Sequence, residues 1–267
     1  MAETPTPVFL CFKWGKGYPC KYTNILFRAL SDIMETPFRF VCVTDDATGL
    51  AEGIETRDFP PFAMDRADWA RGMWAKLTAF APGLVPEGTP VIMVDVDVVV
   101  LRDLTPLFDI VRDQGGLHII REIPDTLPRL FPNAFGKDLL SNSSVVGFVA
   151  GEQTHLYTAS KDKSYDQIRE FRNDQNYIHY HAKNRHSWPI GWMLSFKKSL
   201  AYHFPVNLIR PIARPRDGYI VIFHGTPNPE DMVQGPFKHW GSNEKFGFFP
   251  VRWIKDYWQR YSRPTDR

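Results

Sequence analysis

The chain has 267 residues, 43% hydrophobic and 23% charged, with a formal net charge of +2. That is the length and make-up of one large α/β domain or two small ones, and the near-neutral charge excludes a general nucleic-acid-coating role. The stretch from Gly235 onward is locally basic, a net +4; it reads either as a solvated face or as a surface for peripheral contact with an anionic membrane.

In chain order, Val8–Phe12 (VFLCF) predicts a short strand and Tyr22–Met34 a helix, with Ile25, Leu26, Ala29, Leu30 and Ile33 at helical spacing. Phe38–Val43 predicts a second strand, closed by Thr44-Asp45-Asp46, and Trp69–Phe80 a helix ended by Pro82. Val91–Leu101 is the strongest strand, apolar on both faces as in the middle of a covered sheet. Thr105–Val111 predicts a helix. Strand-like runs follow at Gly116–Ile120, Val145–Val149, Leu194–Phe196 and Tyr219–Phe223. This alternation predicts an α/β fold with a mixed, mostly parallel sheet flanked by helices, whose ligands bind beyond the carboxyl ends of the strands. Three such ends carry polar chemistry: Asp45-Asp46, Asp95-Val96-Asp97 and His224-Gly225.

The three cysteines, Cys11, Cys20 and Cys42, lack metal-binding spacing and suit a reducing compartment. The N-terminus MAETPTP has no apolar signal core, and no run approaches the ~20 apolar residues of a membrane span. A cytoplasmic protein is expected.

Two aspartates inside the apolar run VIMVDVDVVV need an explanation, because an ionised carboxylate in an apolar interior is costly unless paired or metal-bound. On a regular strand, Asp95 and Asp97 point to one face and repel each other, so they either flank a cation or cap a turn. Hard oxygen ligands suit Mn²⁺ or Mg²⁺ shared with a phosphorylated ligand. The letters also fit haloacid-dehalogenase-like phosphatases, with Asp95 as nucleophile. In those enzymes, however, the motif opens the core and an acidic pair follows it, whereas Asp45-Asp46 lies upstream.

The whole pattern resembles the nucleotide-sugar glycosyltransferases of the GT-A fold, especially the glycogenin-like and related bacterial enzymes. Seven segments, in the family order between residues 8 and 225, carry the resemblance. They are Trp14-Gly15 with Tyr18, FVCVTDD, Trp74-Ala75-Lys76-Leu77, VIMVDVDVVVLRDLTPLFD, SNSSVVGFVAG, NDQNY and YIVIFHG. The resemblance implies a single GT-A-like domain over residues 1–267. Residues 8–115 would form a nucleotide- and metal-binding half, and residues 116–267 an acceptor-side half with a C-terminal extension.

It further implies metal ligation by Asp95, Asp97 and His224. Tyr18 would stack on the base and Asp45 or Asp46 would accept from it. Lys76, Asn142 and Ser143 would serve the diphosphate and sugar, and Asp174 and Gln175 the reacting carbon or acceptor. The implied donor is a UDP-sugar and the acceptor a sugar or glycan, with retention of configuration. One departure stands out: FHGTPNPED lacks the basic residue that the family pattern carries after its His, which leaves Lys238 or Arg216 to replace it. A non-catalytic nucleotide-sugar binder and a sugar-nucleotidyltransferase remain alternatives.

Overall fold

The computed structural model describes residues 5–122, 140–203, 205–223, 225–233, 239–242 and 245–266. Strands β1 (Val8–Lys13), β2 (Arg39–Thr44), β3 (Glu55–Arg57), β4 (Pro90–Val94), β6 (Leu117–Arg121), β7 (Ser141–Val149) and β8 (Arg185–Ser187) form one seven-stranded sheet, in the order β3-β2-β1-β4-β7-β6-β8. Every neighbouring pair is parallel except the two made by β7. The sheet is therefore mixed and mostly parallel, as expected. β5 (Val99–Val100), β9 (Met193–Ser195) and β10 (Ile220–Ile222) form a second, small sheet, and β11 (Trp240–Ser242) pairs with β12 (Lys245–Gly247).

Side-chain alternation divides the core. Val8, Leu10, Phe12, Val91 and Met93 enter one apolar cluster, and Phe9, Cys11, Ile92 and Val94 the cluster on the opposite face. Burying each such side chain contributes roughly 1.5–3 kcal/mol. Helix α1 (Cys20–Ile33) lays Ile25, Leu26, Ala29 and Leu30 on the second cluster. All three cysteines are buried and unbridged. No helix among the described residues is long and apolar enough to cross a membrane.

Two elements differ from the sequence reading. The run Val91–Leu101 is not one strand. It breaks after Val94, turns through Val96-Asp97, and resumes as β5 in the other sheet. The carboxylates are the cause, since a sheet interior offers them neither water nor partners. The run Trp69–Phe80 is likewise split. Helix α2 (Arg66–Trp69) ends, Met73 takes a left-handed φ of 56°, and a 3₁₀ turn covers Trp74–Phe80 with all seven residues buried. An element buried on every side has no amphipathic stripe to fix a regular α-helix.

β7 also begins four residues earlier than the apolar pattern suggests. Its polar start, Ser141–Ser144, is buried; Ser141 Oγ bonds His179, Ser143 Oγ donates to Asp174, and the Asn142 side chain accepts from the Ser144 N–H. Helices α3 (Thr105–Gln114), α4 (Asp174–His181) and α5 (Arg252–Tyr261) complete the frame. Part of the basic C-terminal stretch is α5, whose apolar residues Ile254, Trp258 and Tyr261 face the protein rather than solvent.

Candidate active site

Because β7 runs against its neighbours, its N-terminal end lies at the same sheet edge as the C-terminal ends of β1, β2 and β4. That edge holds a cleft of about 300 Å³, lined by Lys13–Tyr18, Arg66, Met73, Lys76 and Asp95–Asp97 among others. Three chain segments distant in sequence meet there.

The turn after β4 presents the two aspartates. Asp95 keeps its backbone in register, its N–H donating to the Ser144 carbonyl at 2.9 Å. Its carboxylate forms an ion pair with Lys76 Nζ. Asp97 is 7% exposed and accepts a hydrogen bond from the Tyr18 hydroxyl at 2.8 Å. Burial, then the neighbouring Asp95 charge, push the Asp97 carboxyl up to about 6, against the opposing pull of Tyr18 and Lys76. Burial and the charge of Asp97 raise the Tyr18 phenol, which keeps it a donor.

Lys76 is the buried cation of the site. Burial works against its charge, but Asp95, Asp174 and Asp97 outweigh that and hold its ammonium above the usual lysine range. Asp174 opens α4, where the Asn173 side chain caps the helix by accepting from the Asn176 N–H at 3.0 Å. Its carboxylate, 2% exposed, accepts from Ser143 Oγ at 2.7 Å. Burial raises it to about 6, although Lys76 and Ser143 pull it down. Beside it, Asn142 Nδ2 donates to Gln175 Oε1 at 3.4 Å. Lys76 thus links the β4 turn to the Ser143–Asp174 pair.

At the cleft mouth, Asp45 accepts from Arg66 at 3.1 Å and from the Gly15 N–H at 3.4 Å. Asp46 points to a local turn, where Oδ1 accepts from the Thr48 N–H at 2.9 Å, and its backbone carbonyl accepts from Lys13 Nζ. The structure therefore brings together Tyr18, Lys76, Asp95, Asp97, Asn142, Ser143, Asp174 and Gln175, with Asp45 at the rim. Asp46 serves the loop. His224 and Lys238 lie outside the described residues, and among those described no three His, Cys, Asp or Glu side chains converge to hold an ion. Asp95 and Asp97 are the two carboxylates of this turn, the first paired with Lys76 and the second with the Tyr18 hydroxyl; two crowded carboxylates of this kind could hold a divalent cation.

Sequence reasoning missed Lys13 and Arg66. Lys13 closes a fully buried apolar strand, VFLCFK, and a charge at that position could have marked it. Arg66, stacked over the Trp69 ring at 5.2 Å, left no such signal. Trp188 and Trp240 are core residues. Their indole N–H groups donate to the Val145 and Phe249 carbonyls.

No protein-family model and no curated protein matches the sequence. Solved structures do match in shape. The galactosyltransferase LgtC in complex with donor and acceptor sugar analogs aligns with a TM-score of 0.55 at 13% identity, over 95% of this chain and 95% of LgtC. The glycosyltransferase GlyE of Streptococcus pneumoniae TIGR4 aligns with a TM-score of 0.57 at 14% identity, over 98% of this chain; the match spans 62% of GlyE. The bifunctional glycosyltransferase WbbM gives 0.52 at 12% identity, over 85% of this chain and 47% of WbbM. The fold is the GT-A glycosyltransferase fold.

Proposed function

We propose that the protein is a metal-dependent glycosyltransferase. It would move a sugar from a nucleotide-sugar, a UDP-sugar by preference, to a sugar or glycan acceptor, with retention. The observation that carries this reading is the convergence of Asp95, Asp97 and Lys76 at the strand-end cleft of a GT-A fold, with Asp174 buried behind Lys76. That the structures resembling it belong to glycosyltransferases supports the same reading.

In this reading Asp97 and Asp95 hold Mn²⁺ or Mg²⁺. When bound, the cation neutralises charge developing on the leaving diphosphate. Tyr18 offers an aromatic face to the base, and Asp45 accepts from it. Lys76, freed in part from Asp95, balances phosphate or sugar oxygens. Asn142 and Ser143 orient the donor sugar, and Asp174 with Gln175 faces the reacting carbon. Asp174 is already engaged by Ser143 and Lys76, so it does not stand ready as the base that inversion needs. The domain is read as a single unit, with residues 8–115 serving donor and cation and 116–267 the acceptor.

Thermal denaturation with UDP, with and without Mn²⁺, tests the reading. Ligand at a hundred times Kd stabilises by ~2.7 kcal/mol, so a Mn²⁺-dependent rise in Tm is expected. Asp97→Asn should abolish that rise and leave the unliganded Tm no lower. No shift in the wild type would refute the donor assignment. UDP binding without turnover would point to a nucleotide-sugar-binding protein. The anomeric configuration of the first product, read by NMR, decides retention.

A further inference from the structure

A second cavity, of about 270 Å³, opens at the other end of α1 from the cleft. Asp32, the backbone around Val99–Leu101, Arg214, and the Trp253, Asp256 and Tyr257 side chains contribute to its lining. This cavity shares no lining residue with the cleft beside Tyr18 and Asp97. We propose that it is a carbohydrate-binding site for a single neutral sugar ring. The ring would rest on Trp253 and Tyr257, with its hydroxyls bonded to Asp256 and Arg214.

Both aromatic groups are held in place. Trp253 Nε1 donates to the Ile212 carbonyl at 3.1 Å, and the Tyr257 hydroxyl accepts from the Val100 N–H at 3.3 Å. A fixed ring presents its apolar face at little further entropic cost. Asp32 is committed, accepting from the Tyr261 hydroxyl at 2.6 Å and from Arg260 at 2.8 Å. Asp256 has no hydrogen bond or ion pair among the described residues. Arg214 uses one N–H on the Leu101 carbonyl at 3.1 Å, which leaves further guanidinium donors open.

One open acceptor and several open donors beside two aromatic faces match a polyol ring, whose hydroxyls both donate and accept and whose C–H face is apolar. Two guanidinium groups and two carboxylates line the wall, so neither a compact anion nor a cation meets a field of one sign. Its volume, about 270 Å³, is enough for one ring. Such a site would raise the local concentration of a long glycan acceptor. That consequence rests on the sugar-transfer reading; the binding itself does not.

Saturation-transfer-difference NMR on the full chain, without UDP or metal, tests it with millimolar methyl glycosides of glucose, galactose, mannose and N-acetylglucosamine. At least one glycoside should receive saturation. The signal should fall at least fivefold in Asp256→Asn, an exposed change that leaves the fold alone, and in Trp253→Leu, and persist in Asp97→Asn. Absence of transfer to every glycoside overturns the proposal. So does a signal that survives both cavity variants or disappears with Asp97→Asn. Because no donor is present, failure here is distinct from failure of the UDP and Mn²⁺ experiment.

Discussion

Lys76 lies between two acidic groups that would otherwise repel each other in a buried setting, and its removal should be felt twice. Lys76→Met leaves Asp95 and Asp174 without their cation, and breaking a buried pair from one side costs about 3–5 kcal/mol. Urea denaturation at pH 7.5 should show that loss, and the loss should shrink at pH 4, where the Asp174 carboxyl, raised to about 6, is protonated. A pH-independent loss would mean that Lys76 acts by packing alone. Asp174 carries the opposite sign. Its folded pKa of about 6 lies above the unfolded value of 3.8, so the folded state holds its proton more tightly. Stability contributed by the protonated form is present below pH 4 and falls as pH rises towards 6 and above. Asp174→Asn, which mimics the neutral acid, should therefore raise Tm by several degrees at pH 7.5 and leave it unchanged at pH 4. It should also abolish transfer activity, a stability gained at the expense of function. An unchanged Tm at pH 7.5 would contradict the burial cost assigned to this carboxylate.

At the level of elements, the alternation of apolar runs was enough to locate β1, α1, β2 and the edge where their ends meet. Periodicity reports burial, and these elements are buried on regular faces. It does not report where a buried chain changes partner. Val98–Val100 look like a continuation of β4 because both sheets demand the same apolar residues, and only Asp95 and Asp97 mark the crossing between them. The Ser143–Asp174 and Lys76–Asp95 contacts were legible as residue types but not as pairs, since their partners come from elements far apart in the sequence. Gly72 illustrates the same limit. A Cβ there would lie 2.6 Å from the Trp74 indole nitrogen and 2.8 Å from the Arg172 carbonyl oxygen, which no local pattern reveals. Gly72→Ala should cost about 1–3 kcal/mol through overpacking and displace the turn that carries Lys76. The checks are a lower Tm and a weaker UDP-dependent shift. Wild-type values in both would show that the turn has slack.

For the molecule as a whole, α5 closes the structure by covering α1. Trp258 is 2% exposed and packs against Tyr22 at 5.0 Å between ring centroids. Trp258→Ala should cost about 3–5 kcal/mol, a drop of roughly 6–20 °C at ~2–4 °C per kcal/mol for a chain of this size class. Scanning calorimetry should show one transition moving down as a unit. Two separated transitions would mean that the C-terminal elements fold independently.

Just beyond α5, Asp266 accepts a bidentate pair from Arg28, at 2.5 and 2.9 Å, and a hydrogen bond from Asn24 at 2.8 Å, across as many as 242 residues of sequence. This bears on the order of events during synthesis. Chains emerge at ~5–20 residues per second, so α1 leaves the ribosome at least ~12 s before its last partner is made. Through that interval its outer face, with the sockets for Arg28 and Asn24 unfilled, is the surface a chaperone would meet.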